Sequence, residues 1–124
     1  MTRTRQAAIA FAVARGAFGA GLIAAPGRVA AGWIGADANR PPAQVTIRAL
    51  GARDLALAGG AVAAALSGAP LRPWLVAAAA CDLSDIGVTF AAGDTLPGRA
   101  RVGTVALAGI SALAGAALTA GVDR

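Results

Sequence analysis

The sequence predicts an all-α fold, a four-helix transmembrane bundle with a short interfacial segment between the first and second helices. Of its 124 residues, 57% are hydrophobic and 14% are charged, whereas soluble domains are about 45–50% apolar and about 25% charged. The mean hydropathy is +0.67. Four long apolar stretches are present, and a helix needs about 20 such residues to cross a bilayer core. We therefore expect residues 1–124 to form a single integral membrane domain.

The four apolar stretches are separated by Pro, Gly and Arg residues and run over residues 7–25, 42–67, 71–92 and 102–122. The last stretch contains no charge, so a soluble Ala-rich bundle is the weaker alternative, because this helix would lack a water-facing side. Pro42 suits the first turn of the second helix. The mixed segment 28–34 suits the lipid headgroups, where Trp33 and Trp74 fit as interfacial anchors.

The N-terminal stretch has one alternative interpretation. Arg3 and Arg5 precede an apolar run that ends in small residues, a pattern that resembles a secretory signal peptide. Arg15 interrupts that run, and cleavage after it would leave only three membrane helices. We therefore expect the first stretch to be a membrane helix of the mature protein.

The composition excludes several classes of chemistry. The chain has no His, and Cys81 is its single cysteine. Nucleophile systems that need a His base and His-ligated metal sites are therefore excluded, as are an intrachain disulfide and a thiolate metal cage. We expect no cofactor and no metal. All basic residues are Arg, and the usage is rich in Ala and Gly, which is typical of a high-GC bacterial genome.

The net charge of +5 is distributed as membrane contacts require. Most Arg residues lie at the ends of the apolar runs, where cations meet phospholipid headgroups. We therefore expect membrane lipid as a partner, no nucleic acid, and a multi-pass location in the bacterial cytoplasmic membrane. The Arg counts on the two sides are nearly balanced, so counting positive charges does not decide the orientation of the chain. We expect both termini to face the cytoplasm.

Small residues recur every fourth position in the first and last stretches, as Ala12, Gly16, Ala20, Ala24 and as Ala108, Ala112, Ala116, Ala120. Such rows let helix backbones approach closely, which favours packing within lipid. We expect these rows to lie at helix contacts, and we expect the protein to form a homo-oligomer.

Five charged residues fall inside the predicted helices and form the candidate site: Arg15, Arg53, Asp54, Asp82 and Asp85. A charge at the bilayer centre costs on the order of 2.5–3.5 kcal/mol, so such residues normally face protein and find partners. Arg15 lies eleven residues before Pro26, and Arg53 lies eleven after Pro42. At 1.5 Å per residue both are roughly 16 Å from the same face.

The same arithmetic from the turn near Pro70 places Arg53 and Asp85 at one level, within about 3 Å, with Asp82 about one turn away. Arg53 and Asp54 point about 100° apart, so one of them should address the first or last helix. We expect Gly51 and Ala52, and the pair Gly59 and Gly60, to leave room for the long guanidinium. The sequence thus predicts one buried layer of two Arg and up to three Asp.

Two segments carry a family resemblance: GARDLALAGG at residues 51–60 and CDLSDIGVTFAAG at residues 81–93. Together with Arg15-Gly16 and the Ala-Pro-Gly-Arg sequence at 25–28, they resemble the small four-helix bacterial membrane proteins grouped loosely with the DoxX-like superfamily. The resemblance implies a four-helix membrane fold with polar residues on the second and third helices. It implies no particular substrate or reaction.

These observations lead to three hypotheses about function. The favoured one is a non-enzymatic membrane protein whose Arg/Asp layer organises the bundle and binds a proton, a lipid or a small amphiphile. The second is a membrane-embedded isomerase or cyclase for an apolar substrate, with Asp82 or Asp85 as general acid and Arg53 as the group that orients it. The third is a small ion-coupled transporter, which usually requires dimerisation or internal repeats.

Overall fold

The computed structural model describes residues 1–124 and contains five α-helices and no strand. The helices are α1 (Arg3–Ala24), α2 (Pro26–Ile34), α3 (Pro41–Ser67), α4 (Arg72–Ala92) and α5 (Gly98–Thr119). Short 3₁₀ turns follow α2 and α4, at Gly35–Asn39 and Gly93–Thr95. The prediction of an all-α helical bundle is confirmed. The segment between the first two long helices is itself helical and comprises α2 and its 3₁₀ turn.

Helices α1 and α5 begin earlier than the predicted stretches because polar residues belong to their first turns, whereas α3 and α4 begin within one residue of theirs, at Pro41 and Arg72. The side chain of Thr2 accepts a hydrogen bond from the backbone N–H of Arg5, so this N-cap starts α1 at Arg3 rather than at residue 7. Helix α5 begins at Gly98, directly after Pro97, rather than at residue 102. It ends at Thr119 rather than at residue 122, because the chain then turns so that Asp123 reaches α4.

The turn between α3 and α4 is closed by backbone geometry and by a side-chain cap. Gly68 ends α3 in the left-handed conformation, at φ +76°, which glycine adopts without the steric penalty of a side chain. The carboxylate of Asp123 then accepts hydrogen bonds from the backbone N–H groups of Leu71 and Arg72, each at 2.9 Å. These bonds satisfy two of the free donors at the start of α4.

The four long helices form two closely packed pairs. Helix α1 packs mainly against α3, and α4 packs mainly against α5, whereas α3 and α4 touch at few places. Gly19 and Gly51 face one another in the first pair, and a Cβ added to either would lie within 2.7 Å of the other's carbonyl oxygen. The pair α1 and α3 therefore requires glycine at both positions, as expected for close backbone packing in membranes.

The predicted rows of small residues are only partly at helix contacts. In α1 the buried small residues are Ala8, Ala12, Gly16 and Gly19, whereas Ala20 and Ala24 are exposed. In α5 the buried residues are Ala100, Ala108 and Gly115, whereas Ala116 and Ala120 are exposed. The expectation was wrong for those four alanines. The buried residues of each helix are separated by combinations of three and four residues, not by four throughout.

Both tryptophans have partners within the protein. The indole N–H of Trp33 on α2 donates to the hydroxyl of buried Thr89 on α4 at 2.9 Å, and that hydroxyl donates to the carbonyl of Asp85. Trp74 lies with its ring against Gly60 of α3. Trp33 thus fixes α2 against the second helix pair, and Trp74 connects α4 to α3.

Helices α1, α3, α4 and α5 are each long and apolar enough to cross a membrane. Large apolar side chains cover their outer faces, and α5 is the least buried of the four. A surface of this kind is typical of helices in contact with lipid, since only the interior of the bundle is shielded from it. These four spans are the features of a multi-pass membrane protein.

Candidate functional site

The structure brings all five predicted site residues into one continuous network between the two helix pairs. Arg15 of α1 is its centre, with a side chain that is 9% exposed. Its guanidinium donates to Oδ1 of Asp54 on α3 at 3.2 Å and to Oδ2 of Asp82 on α4 at 2.6 Å. Charge-assisted bonds of this length are among the strongest polar contacts in proteins.

Arg53 forms the second half of the network. It holds Asp85 of α4 in a bidentate pair, with N–O distances of 3.0 and 2.9 Å. It also donates to Oδ1 of its neighbour Asp54 through Nε and Nη2. Asp54 therefore joins the two arginines, and the network runs from Asp82 through Arg15, Asp54 and Arg53 to Asp85.

The depth arithmetic agrees with this geometry. Arg53 and Asp85 are in direct contact, as their shared level requires. Of the adjacent residues Arg53 and Asp54, the aspartate is the one that contacts the first helix, by its bond to Arg15. The expectation was wrong for Gly51, which accommodates the backbone of α1, and for Gly60, which accommodates the ring of Trp74, whereas the space beside Gly59 is open.

Two further contacts to Arg15 were not predicted. The hydroxyl of Ser111 on α5 accepts from Nη2 of Arg15 at 3.1 Å, so all four long helices contribute to the network. The Arg15 guanidinium also lies 5.8 Å from the ring centre of Phe11, within the range of a cation–π contact. Ser111 had one signal in the sequence, since it is the polar residue nearest the middle of the last apolar stretch.

The network carries an excess of one negative charge, because three carboxylates face two guanidinium groups. Arg48 does not compensate for it, since this exposed side chain donates to the backbone carbonyl of Ile23 instead. Both oxygens of Asp85 accept from Arg53, whereas Asp54 accepts at Oδ1 and Asp82 at Oδ2. Oδ2 of Asp54 and Oδ1 of Asp82 are therefore the two carboxylate oxygens of the network that accept no hydrogen bond from an arginine.

A cavity of about 10 Å³ adjoins Arg15 and is otherwise lined by apolar groups that include Phe11, Ala58 and Trp74. The Nε atom of Arg15 is buried and has no hydrogen-bond partner. A cavity of this size holds about one water molecule, which is far less than an apolar substrate requires. No group of three or more metal-ligating side chains is arranged to hold a metal ion.

No protein-family model, curated protein or solved structure matches this sequence. The site is a buried ionic network at the junction of four helices, with its Arg53–Asp85 end less enclosed than its Arg15 end.

Proposed function

We propose that the chain is a non-enzymatic integral protein of a bacterial cytoplasmic membrane, in which the Arg/Asp network organises the helix bundle and holds one proton. A single observation carries the proposal: the five charges are bonded to one another across the contact between two helix pairs. In lipid, apolar surfaces have little reason to associate with one another, so polar bonds of this kind determine which helices meet.

The proton follows from the count of charges. An uncompensated charge is costly inside a membrane, and such charges are neutralised or paired. A proton is the cation that needs the least space, and the small cavity beside Arg15 has no carboxylate in its lining, so it gives no room for a larger cation next to the acidic groups. A proton shared within the network balances its charge without displacing any of the hydrogen bonds that the arginines donate.

The geometry gives less support to the enzymatic alternative. A general acid must face the reacting atom of a bound substrate, but Asp82 and Asp85 are both held by arginines. The cavity next to Arg15 also lacks the volume for an isoprenoid or another apolar molecule. Membership of the DoxX-like superfamily remains a proposal that rests on the segments at residues 51–60 and 81–93.

A double-mutant cycle on Arg53 and Asp85 tests the organising role. Arg53→Gln and Asp85→Asn should each lower the midpoint of thermal unfolding of the detergent-solubilised protein, because each leaves a half-buried charged partner unpaired. The double variant should lose less than the sum, with a coupling energy of about 0.5–3 kcal/mol.

The exposed pair Arg101 and Asp94 provides the matched control, since its atoms are 3.1 Å apart and the Asp94 side chain is 96% exposed. Its cycle should give a coupling near zero. Strict additivity at Arg53 and Asp85 would contradict the proposal. So would a wild-type protein that leaves the membrane in alkaline carbonate without detergent.

A further inference from the structure

We infer that the crevice between α3 and α4, where the Arg53–Asp85 pair reaches the surface, is covered by the same crevice of a second copy of this chain. The inference rests on the proposed membrane location. It goes beyond that proposal by assigning an interface and its occupant, because the ionic network is incompletely shielded in one copy alone.

The partial exposure of the Arg53–Asp85 ion pair is the observation that requires a cover. The side chains of Arg53 and Asp85 are 28% and 22% exposed, against 9% and 7% for Arg15 and Asp82. Asp85 lies seven residues before the end of α4, roughly 10 Å inside the helix. A charged pair at that depth would face acyl chains, and polar groups within a membrane normally face protein or water instead.

The surroundings of the pair suit a helix contact. Helices α3 and α4 touch at few places, and nearer the turn between them the ring of Trp74 lies against Gly60. Ala49 and Ala56 lie on α3 one turn before and after Arg53, and both are exposed. Ser84, next to Asp85 on α4, brings an exposed hydroxyl to the same depth. Small side chains and a hydroxyl are the groups that membrane helices use to associate.

Charge complementarity points to a second copy as the occupant. Arg53 and Asp85 lie at one depth, so the vector from the guanidinium to the carboxylate lies in the plane of the membrane. A twofold axis along the bilayer normal reverses that vector in the second copy. The guanidinium of each copy then lies towards the carboxylate of the other, and the interface is self-complementary, as twofold contacts require.

Oxidative cross-linking in native membranes tests the interface. In a Cys81→Ala background, Ala56→Cys and Ser84→Cys introduce single thiols at the crevice. Leu113→Cys introduces one on α5, where Leu113 is 74% exposed. A disulfide needs Cα atoms about 4.4–6.8 Å apart. We therefore expect a cross-linked dimer from Ala56→Cys or Ser84→Cys, and no cross-linked dimer from Leu113→Cys.

A second measurement does not depend on disulfide geometry. Energy transfer between labelled copies in liposomes should be lost in Ala56→Leu, because the larger side chain fills the crevice. It should be retained in Ala106→Leu, a matched change at an exposed position of α5. Both variants leave the ionic network intact, and thermal unfolding checks that each is folded.

The inference is overturned by equal cross-linking at residue 113, by no cross-linking at residues 56 and 84, or by energy transfer that survives Ala56→Leu. It is also overturned if the protein is monomeric and a bound lipid covers the crevice in mass spectra of the purified protein. These outcomes leave the proposed function standing, since that proposal depends on membrane extraction and on the coupling between Arg53 and Asp85.

Discussion

Arg15 is the residue on which most of the buried network depends. It bonds to Asp54, Asp82 and Ser111, and so connects its own helix to the three other long helices. A planar guanidinium can do this because its donors point in several fixed directions, whereas a lysine ammonium acts as a compact point charge. We therefore expect the Arg15→Lys variant to be less stable than the wild type, although it keeps the positive charge.

Arg15→Gln should lower the free energy of unfolding by about 3 kcal/mol or more, because two carboxylates lose their shared partner. Asp82→Asn should cost clearly less, since the network already has one carboxylate in excess. Thermal unfolding in detergent measures both variants. Arg48→Gln is the control and should change stability by less than about 0.5 kcal/mol, because Arg48 is exposed. Equal losses for Arg15→Gln and Asp82→Asn would contradict the charge count.

At the scale of the helices, the contact between α1 and α3 depends on glycine at two facing positions. A Cβ on Gly51 would lie 2.5 Å from the carbonyl oxygen of Gly19, and this atom belongs to the backbone and cannot turn aside. Gly51→Ala should destabilise the protein by about 1–3 kcal/mol, the usual cost of overpacking. Chemical denaturation in mixed micelles measures the loss.

Gly59→Ala is the matched control on the same helix, since no atom lies within 4 Å of the added Cβ. It should be neutral or stabilising by up to about 1 kcal/mol, because alanine is the better helix former. A Gly51→Ala variant as stable as Gly59→Ala would mean that α1 and α3 pack less closely than described.

The helices also explain why the sequence predicted some features and not others. Depth along a helix follows from counting residues, so the contact between Arg53 and Asp85 could be predicted from the turn near Pro70. The buried face could not be predicted with the same certainty, because α1 and α5 carry apolar or small residues on all sides. The exposed Ala20 and Ala116 were therefore assigned to contacts. The bond from Arg15 to Ser111 also depends on helix rotation, which counting does not give.

At the scale of the whole molecule, one end of the bundle is closed by two charged residues from the ends of the chain. Arg5 of α1 donates to the carbonyls of Ala64 and Ala65 near the end of α3 and to that of Ala69 in the following turn. Asp123 caps the start of α4, and its Oδ1 lies 3.6 Å from the Arg5 guanidinium. The two residues thus join the helix pairs at this end, as the ionic network joins them within the bundle.

Asp123 should make part of the stability depend on pH. The hydrogen bond from the backbone N–H of Leu71 lowers the pKa of Asp123, and the N–H of Arg72 and the charges of Arg5 and Arg72 lower it further. The stabilisation by the Asp123 carboxylate is therefore complete above the pKa that Asp123 has in the unfolded chain. It is lost as the pH falls through the lower pKa that Asp123 has in the folded chain.

The unfolding midpoint of the wild type should exceed that of Asp123→Asn at neutral pH, and the difference should vanish in acid. Comparing the two proteins at each pH removes the contribution of the other carboxylates. Asp37→Asn serves as a control, because the Asp37 side chain is 69% exposed and its ion pair with Arg40 is local. A difference that persists unchanged at low pH would assign the effect of Asp123 to something other than its charge.

The division into two helix pairs follows the order in which the chain is synthesised. To the ionic network the first pair contributes Arg15, Arg53 and Asp54, a surplus of one positive charge, and α4 brings Asp82 and Asp85 afterwards. When the amino-terminal hairpin enters the bilayer, one guanidinium is still without its carboxylate. We therefore expect α4, with its two acidic groups, to be inserted beside an unbalanced cation, so that the two helix pairs neutralise one another during biogenesis.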